Sequence, residues 1–264
     1  MSRSPFTGVL VPLVTPIGDD GSVARAELAA LIALVAPHVD GLVPALGSGE
    51  GWCLDSGQWH DVVATTVAHS AGLPVLAGVL GATTDEVIAK ARSAAELGAS
   101  AVVATTPYGA DVTQDRMYQH FVELAEAGRV PVVVYHESEV SKNRLTHETL
   151  VRISRIPGVV AVKDSHGDLD ATRRLLDEGV AVLQGGDHLM GEGLAVDGFL
   201  VALANLEPEL CGLMWRSPSA GTAELILKKC ADHDLFADDW YLAIKDVLHD
   251  RGVITNPLPV TGVR

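Results

Sequence analysis

The chain has 264 residues, of which 48% are hydrophobic and 20% charged, enough apolar material for one large buried core. Its 34 acidic residues against 19 basic ones leave a net charge of −15, which argues against nucleic acid or an anionic membrane surface as a partner. No apolar run reaches the roughly 18 residues that a membrane span needs, and the opening residues show no signal-peptide pattern.

Taken in chain order, β-branched runs fall at residues 8–15, 41–45, 74–79, 101–106, 131–136, 159–164, 180–185 and 199–203. Between them lie segments with helical apolar spacing, such as Leu28, Leu31, Ile32 and Val35. One of these opens on Thr83-Thr84-Asp85-Glu86, a capping residue followed by early acids, and closes at Gly98. Near-continuous apolar strands alternating with helices predict parallel strands covered on both faces. Eight such units with no dinucleotide fingerprint after the first strand predict an α/β fold, a (β/α)8 TIM barrel over residues 1–205. Helical stretches at 220–231 and 238–251 belong to a C-terminal part, residues 206–264, expected to pack on the barrel within a single domain. Cys53, Cys211 and Cys230 are widely spaced and form no CxxC, so neither a disulfide framework nor a zinc ribbon is expected, and a reducing cytoplasm is the predicted setting.

Active sites of such barrels gather at the C-terminal ends of the strands. Of six lysines, only Lys163 ends an apolar run. Alternation places Val159, Ala161 and Lys163 on one face. If that face is the interior, desolvation lowers the lysine pKa and favours the neutral amine that attacks a ketone. The competing reading is a lysine that reaches the rim or pairs with Asp164. On the preceding run, Pro131, Val133 and Tyr135 share a face, so Tyr135 points to the same mouth and is able to pass protons to a substrate oxygen. The glycine-rich turn Leu46-Gly47-Ser48-Gly49-Glu50-Gly51 follows the second run, and its N–H groups suit an anion.

Together these segments resemble the dihydrodipicolinate synthase/N-acetylneuraminate lyase family of class I aldolases, over the whole chain and in order. Val162-Lys163-Asp164-Ser165-His166-Gly167-Asp168 resembles its Schiff-base segment. Val134-Tyr135-His136 resembles the segment with the catalytic tyrosine. Thr106-Pro107-Tyr108 with Tyr118-Gln119-His120-Phe121, and Asp40-Gly41-Leu42-Val43 running to Gly49-Glu50, resemble two further family stretches. The resemblance implies a lyase in which Lys163 forms a Schiff base with pyruvate or a related 2-oxo acid, for carbon–carbon bond formation or cleavage with an aldehyde. It implies Tyr135 as the second catalytic residue and Gly47, Ser48, Gly49, Tyr108, His136 and Leu203 as substrate contacts. It also implies no cofactor or metal and a homodimer or homotetramer.

The departures from the family pattern carry information too. Its loop has two adjacent hydroxyl residues where this chain has only Ser48. Without gaps, Gly47 takes the position that relays protons to the tyrosine; a paired insertion and deletion would instead put Ser48 there. Gly109 replaces a tyrosine that crosses to a neighbouring subunit, Val140 replaces an arginine that binds a substrate carboxylate, and His136 replaces an asparagine. The segment between Asp187 and Asn205 is about two residues short. These changes predict an aldehyde partner without a second carboxylate. Two other readings compete. In one, His136, His166 and His188 with neighbouring acids hold a divalent ion. In the other, an inactive barrel keeps the lysine and tyrosine for binding or regulation.

Overall fold

The computed structural model of the protein describes residues 4–166 and 168–261, so Gly167 of the lysine segment lies outside the described residues. Eight parallel strands form the core: β1 Gly8–Pro12, β2 Gly41–Val43, β3 Leu76–Gly78, β4 Ala101–Ala104, β5 Val132–His136, β6 Val159–Asp164, β7 Val182–Gln184 and β8 Gly198–Leu200. They pair in the order β2-β1-β8-β7-β6-β5-β4-β3, and a bridge between Leu42 and Val75 joins the two ends into a barrel. Seven of the eight predicted runs contain one of these strands, and the eighth overlaps β8, which begins one residue earlier at Gly198. Among the described residues, no helix is long and apolar enough to cross a membrane.

The period of two along each strand sorts side chains into two layers. Leu10, Val43, Leu76, Val103, Val133, Ala161, Leu183 and Leu200, one from each strand, fill the interior. Their neighbours Val9, Leu42, Ala77, Val102, Val134, Val162 and Val182 face outward under the helices. Burying a side chain of this size contributes roughly 1.5–3 kcal/mol, so both layers favour closure. Register slips at one place, a bulge where β5 meets β6 between Val132 and Val133. Val160 and Ala161 consequently both pack on the interior, and Val159 turns to the outer layer. The expected shared face of Val159, Ala161 and Lys163 therefore holds only from Ala161 onward.

Helices α1 Arg25–Val35, α2 Ser56–His69, α3 Thr84–Leu97, α4 Gln114–Ala127, α5 His147–Ser154 and α6 Leu169–Asp177 follow the first six strands. The capping signals of α3 act as read. The Thr83 side chain accepts from Glu86 N–H, the Glu86 side chain accepts from the Thr83 N–H, and Gly98 ends the helix at φ 94°. The alternation breaks after β7, where the shortened segment forms only a 3-10 turn at Asp187–Leu189. Helices α7 Pro208–Arg216, α8 Ala220–Asp232 and α9 Trp240–Asp250 follow β8.

Candidate functional site

The register of β5 on β6 makes Tyr135 and Lys163 direct neighbours, and His136 and Asp164 the next pair. Alternation then sends the first pair inward and the second outward. Inside, the Lys163 Nζ lies 4.2 Å from the centre of the Tyr135 ring. Lys163 is 5% exposed, and burial lowers its pKa to about 8 although Asp187 and Glu137 pull the other way. Asp164 is engaged elsewhere: it accepts from Thr172 Oγ1 at 2.7 Å and lies 3.1 Å from His136 Nδ1. Burial raises the Asp164 pKa, but these hydrogen bonds leave it below the ordinary carboxylate value. Lys163 thus neither reaches the rim nor pairs with Asp164; its amine stays in the mouth of the barrel.

Tyr135 is buried, and burial first, then Glu137, raises its pKa, while the Ser165 hydroxyl pulls it down. The residue facing its hydroxyl across the barrel is Gly47, where a Cβ would stand 3.3 Å from Tyr135 Oη. Gly47, rather than Ser48, therefore occupies the place beside the phenol, as the gap-free reading has it. The turn around Ser48 is shaped by backbone that side chains rarely adopt, with φ 57° at Ala45 and 51° at Glu50. Thr15 Oγ1 donates to Gly49 O at 2.7 Å. Glu50, 1% exposed, pairs with the fully buried Lys245 and accepts from Val260 N–H at 2.8 Å, while Lys245 Nζ donates to Leu258 O at 3.0 Å. Among the described residues, the N–H groups of Gly47, Ser48 and Gly49 meet no acceptor and the buried Ser48 hydroxyl has no partner. Leaving such groups unpaired costs free energy, and free N–H groups on successive residues of a turn suit a carboxylate.

These groups border a cavity of about 1000 Å³. Gly47, Ser48, Tyr108, Tyr135 and Lys163 line it, with Val140 among them. The stretch between α8 and α9 closes one side with Phe236 and Trp240, so the C-terminal part supplies a wall of the site as well as packing on the barrel. Gly185 supplies room: a Cβ there would stand 2.9 Å from Lys163 Cε. Gly109 has φ 128° and its N–H donates to Ser141 O at 2.8 Å, a conformation that a tyrosine would strain.

Sequence reasoning placed Glu137 and Asp187 only beside the alternative metal set, and Ser165 only within the lysine segment, and assigned none of them to the aldolase site. Asp187 carries a carboxyl raised to about 6 by burial, opposed by hydrogen bonding from Leu203 N–H and by the charge of Lys163. Its position at a strand end after Gly185-Gly186 was the available signal. Glu137 accepts from the N–H groups of Val140 and Ser141, at 2.8 and 3.1 Å. Three expected contacts fall elsewhere. His136 is on the outer face of β5 against Asp164 and is not among the residues lining the cavity. Leu203 packs in the outer core and serves only through its N–H, which donates to Asp187 Oδ1 at 2.6 Å. Gly49 lies just behind the lining, beside Leu13 O and Thr15. The alternative metal set does not assemble: the His136 and His166 rings lie 4.1 Å apart, tilted by 57°, whereas His188 packs on Phe236. Among the described residues, no three His, Cys, Asp or Glu side chains are grouped to hold a metal ion.

Comparison with known proteins shows the family. The model of the Dihydrodipicolinate synthetase family matches residues 5–264. The 4-hydroxy-tetrahydrodipicolinate synthase of Methylococcus capsulatus is 32% identical, over 96% of this chain and 92% of its own. That of Aromatoleum aromaticum is 33% identical, over 97% and 92%. The crystal structure of the dihydrodipicolinate synthase of Acinetobacter baumannii complexed with pyruvate superposes with a TM-score of 0.88 at 27% identity, covering 97% of this chain and 92% of that one. A prophage protein of the dihydrodipicolinic acid synthase family from E. coli K12, in complex with pyruvate, gives 0.89 at 25% identity with the same coverage. With its lysine and tyrosine at the mouth of the same barrel, the chain belongs to the dihydrodipicolinate synthetase family of lyases.

Proposed function

We propose that Lys163 forms a Schiff base with pyruvate or a closely related 2-oxo acid, and that the resulting enamine exchanges a carbon–carbon bond with an aldehyde. The observation that carries this reading is the Tyr135–Lys163 register pair, which sets a buried amine against a phenol at the mouth of the barrel. The acid's carboxylate sits on the free amides of Gly47 and Ser48, which line the cavity. Lys163 attacks the ketone, and Tyr135 passes the protons that carry off the oxygen as water. The protonated imine is an electron sink, so C3 either loses a proton to give the enamine or releases its bond to C4. The pyruvate bound in two similar structures supports a small 2-oxo acid as the partner. Mass spectrometry after borohydride reduction with a panel of 2-oxo acids tests the reading. A mass increment on Lys163 with one of them is expected; none with any acid overturns it.

The amine also fixes a pH dependence. With a pKa near 8, Lys163 is mostly protonated at neutral pH and gains its reactive form as pH rises. The rate of adduct formation should climb roughly tenfold per pH unit below about 8 and level off above it. A rate already flat from pH 6 to 8 would contradict the assignment.

The charges around the cavity select the second substrate. Glu137, Glu139, Asp187 and Asp238 line it, against Lys142 and Lys163 alone among lysines and arginines, and Val140 brings no charge. An aldehyde bearing its own carboxylate is therefore disfavoured, and an uncharged or aromatic one fits beside Trp52, Tyr108 and Trp240. Aspartate semialdehyde should show kcat/KM at least about tenfold below that of uncharged aldehydes, a difference of roughly 1.4 kcal/mol. Efficient condensation with aspartate semialdehyde would refute this selection. Every group in this scheme comes from one chain, so a partner copy in a dimer or tetramer need add no side chain beside Tyr135.

A further inference from the structure

We propose that the groove between α5 and α6, outside the barrel wall, is a second binding site for a phosphate-class oxyanion, free or carried on a small organic ester. It shares no lining residue with the cavity around Lys163, and it stands whether or not the Schiff-base reading does. Its volume of about 390 Å³ falls within the roughly 300–1000 Å³ of ligand pockets. Arg144, His147 and Arg174 line it, and among the described residues Asp168 is the one acid that does. That balance is local, because the whole chain has 34 acidic residues against 19 basic ones.

The two arginines differ from their neighbours on the same helices. Arg152 lies 3.6 Å from Asp115, Arg155 3.2 Å from Glu178 and Arg173 2.9 Å from Asp170. Arg144 and Arg174 pair with no acid among the described residues. Asp168 is turned to the start of α6, where its Oδ1 accepts from Asp170 N–H at 3.1 Å and Ala171 N–H at 3.0 Å. α5 begins in the groove, and the N–H groups of His147 and Glu148 in its first turn meet no acceptor among the described residues. Two guanidinium groups beside a helix N-terminus suit the oxygens of a phosphate.

An independent observation lies in the wall of the groove. His136 borders it, is 6% exposed, and holds its Nδ1 3.1 Å from Asp164 Oδ1. Nε2, the other polar atom of the ring, is buried without a partner among the described residues. Buried polar atoms are nearly always hydrogen-bonded, so this one points to a ligand. Nε2 accepts when the ring is neutral and donates when it is charged. Hydrogen phosphate and singly protonated phosphate monoesters carry both P–OH and P–O groups, so they meet either form. Leu145, Leu150 and Leu175 supply an apolar side for a short carbon chain.

Isothermal titration at matched ionic strength tests the site, with inorganic phosphate and with propyl phosphate, on the wild type, Arg144→Ala, Arg174→Ala and the double variant. Both arginines are exposed, so the variants should fold as the wild type does. One phosphate per chain is expected, with a Kd of about 1 mM or tighter. Each single substitution should weaken it about tenfold, the scale of one charge-assisted hydrogen bond. Tighter binding of propyl phosphate marks an ester as the occupant, and equal or weaker binding marks the free ion. The imidazole 15N signals of His136, assigned with His136→Gln, should move as phosphate is added to the wild type. The inference is overturned if no phosphate binds up to about 10 mM, or if the His136 signals stay fixed at saturation. It is equally overturned if the double variant binds as tightly as the wild type, since the ion would then sit elsewhere, such as on the free amides of Gly47 and Ser48.

Discussion

Lys163→Ala is expected to leave no borohydride-trapped adduct and to lower kcat by about three orders of magnitude or more, the scale on which loss of a covalent nucleophile acts. Nothing nearby substitutes for it. Lys142 is the other lysine bordering the cavity, and it is exposed on the β5–α5 loop. Lys163→Arg should be equally inactive, because a guanidinium keeps the charge but does not form the imine. Steady-state rates with the trapped acid and an uncharged aldehyde, alongside peptide mapping of the adduct, measure both effects. Activity of Lys163→Ala within tenfold of wild type would eliminate the covalent route.

Lys245→Met should cost about 3–5 kcal/mol of stability, because it strands the Glu50 carboxylate in the core without its cation. For a domain of this size that is a fall in Tm of roughly 6–20 °C. The loss should also reach the site, since Glu50 ends the turn that carries Ser48. KM for the 2-oxo acid should rise in Lys245→Met under conditions where the protein is still folded. Adding Glu50→Gln should return part of the stability by removing the stranded charge, although the amide oxygen keeps only the bond from Val260 N–H and its buried NH2 must find a new acceptor. Denaturant or thermal unfolding of the two variants decides it: a change under 1 kcal/mol in Lys245→Met would show that the pair is not what holds the turn.

The parts legible in the sequence are those governed by local periodicity. Tyr135 and Lys163 each sit two residues after an interior apolar residue, Val133 and Ala161, so alternation alone aims both inward. The same rule sends His136 outward, one residue past Tyr135, and outranks the resemblance that grouped it with substrate contacts. Alternation failed at Val159 because the bulge depends on how β6 meets β5, which no local pattern in β6 announces. The Glu50–Lys245 pair and the Trp240 wall join residues nearly two hundred positions apart, and Ser165 and Asp187 lie on loops whose course is set by neighbouring strands. The missing helix between β7 and β8 left a partial trace, the short segment after Asp187.

The bond from Val260 N–H to Glu50 spans 210 residues, so the turn that presents Ser48 is braced by a segment made long after it. At 5–20 residues per second of synthesis, that interval is about 10–40 s. Through it, the second strand and its turn exist without the groups that hold Glu50 at a positive φ. Lys163 and Tyr135, on adjacent strands, are both made well before the segment around Val260 emerges. Order of appearance therefore separates the two halves of the candidate site: the strands of Tyr135 and Lys163 are made early, and the turn that carries Ser48 is braced only when the segment around Val260 folds back onto Glu50.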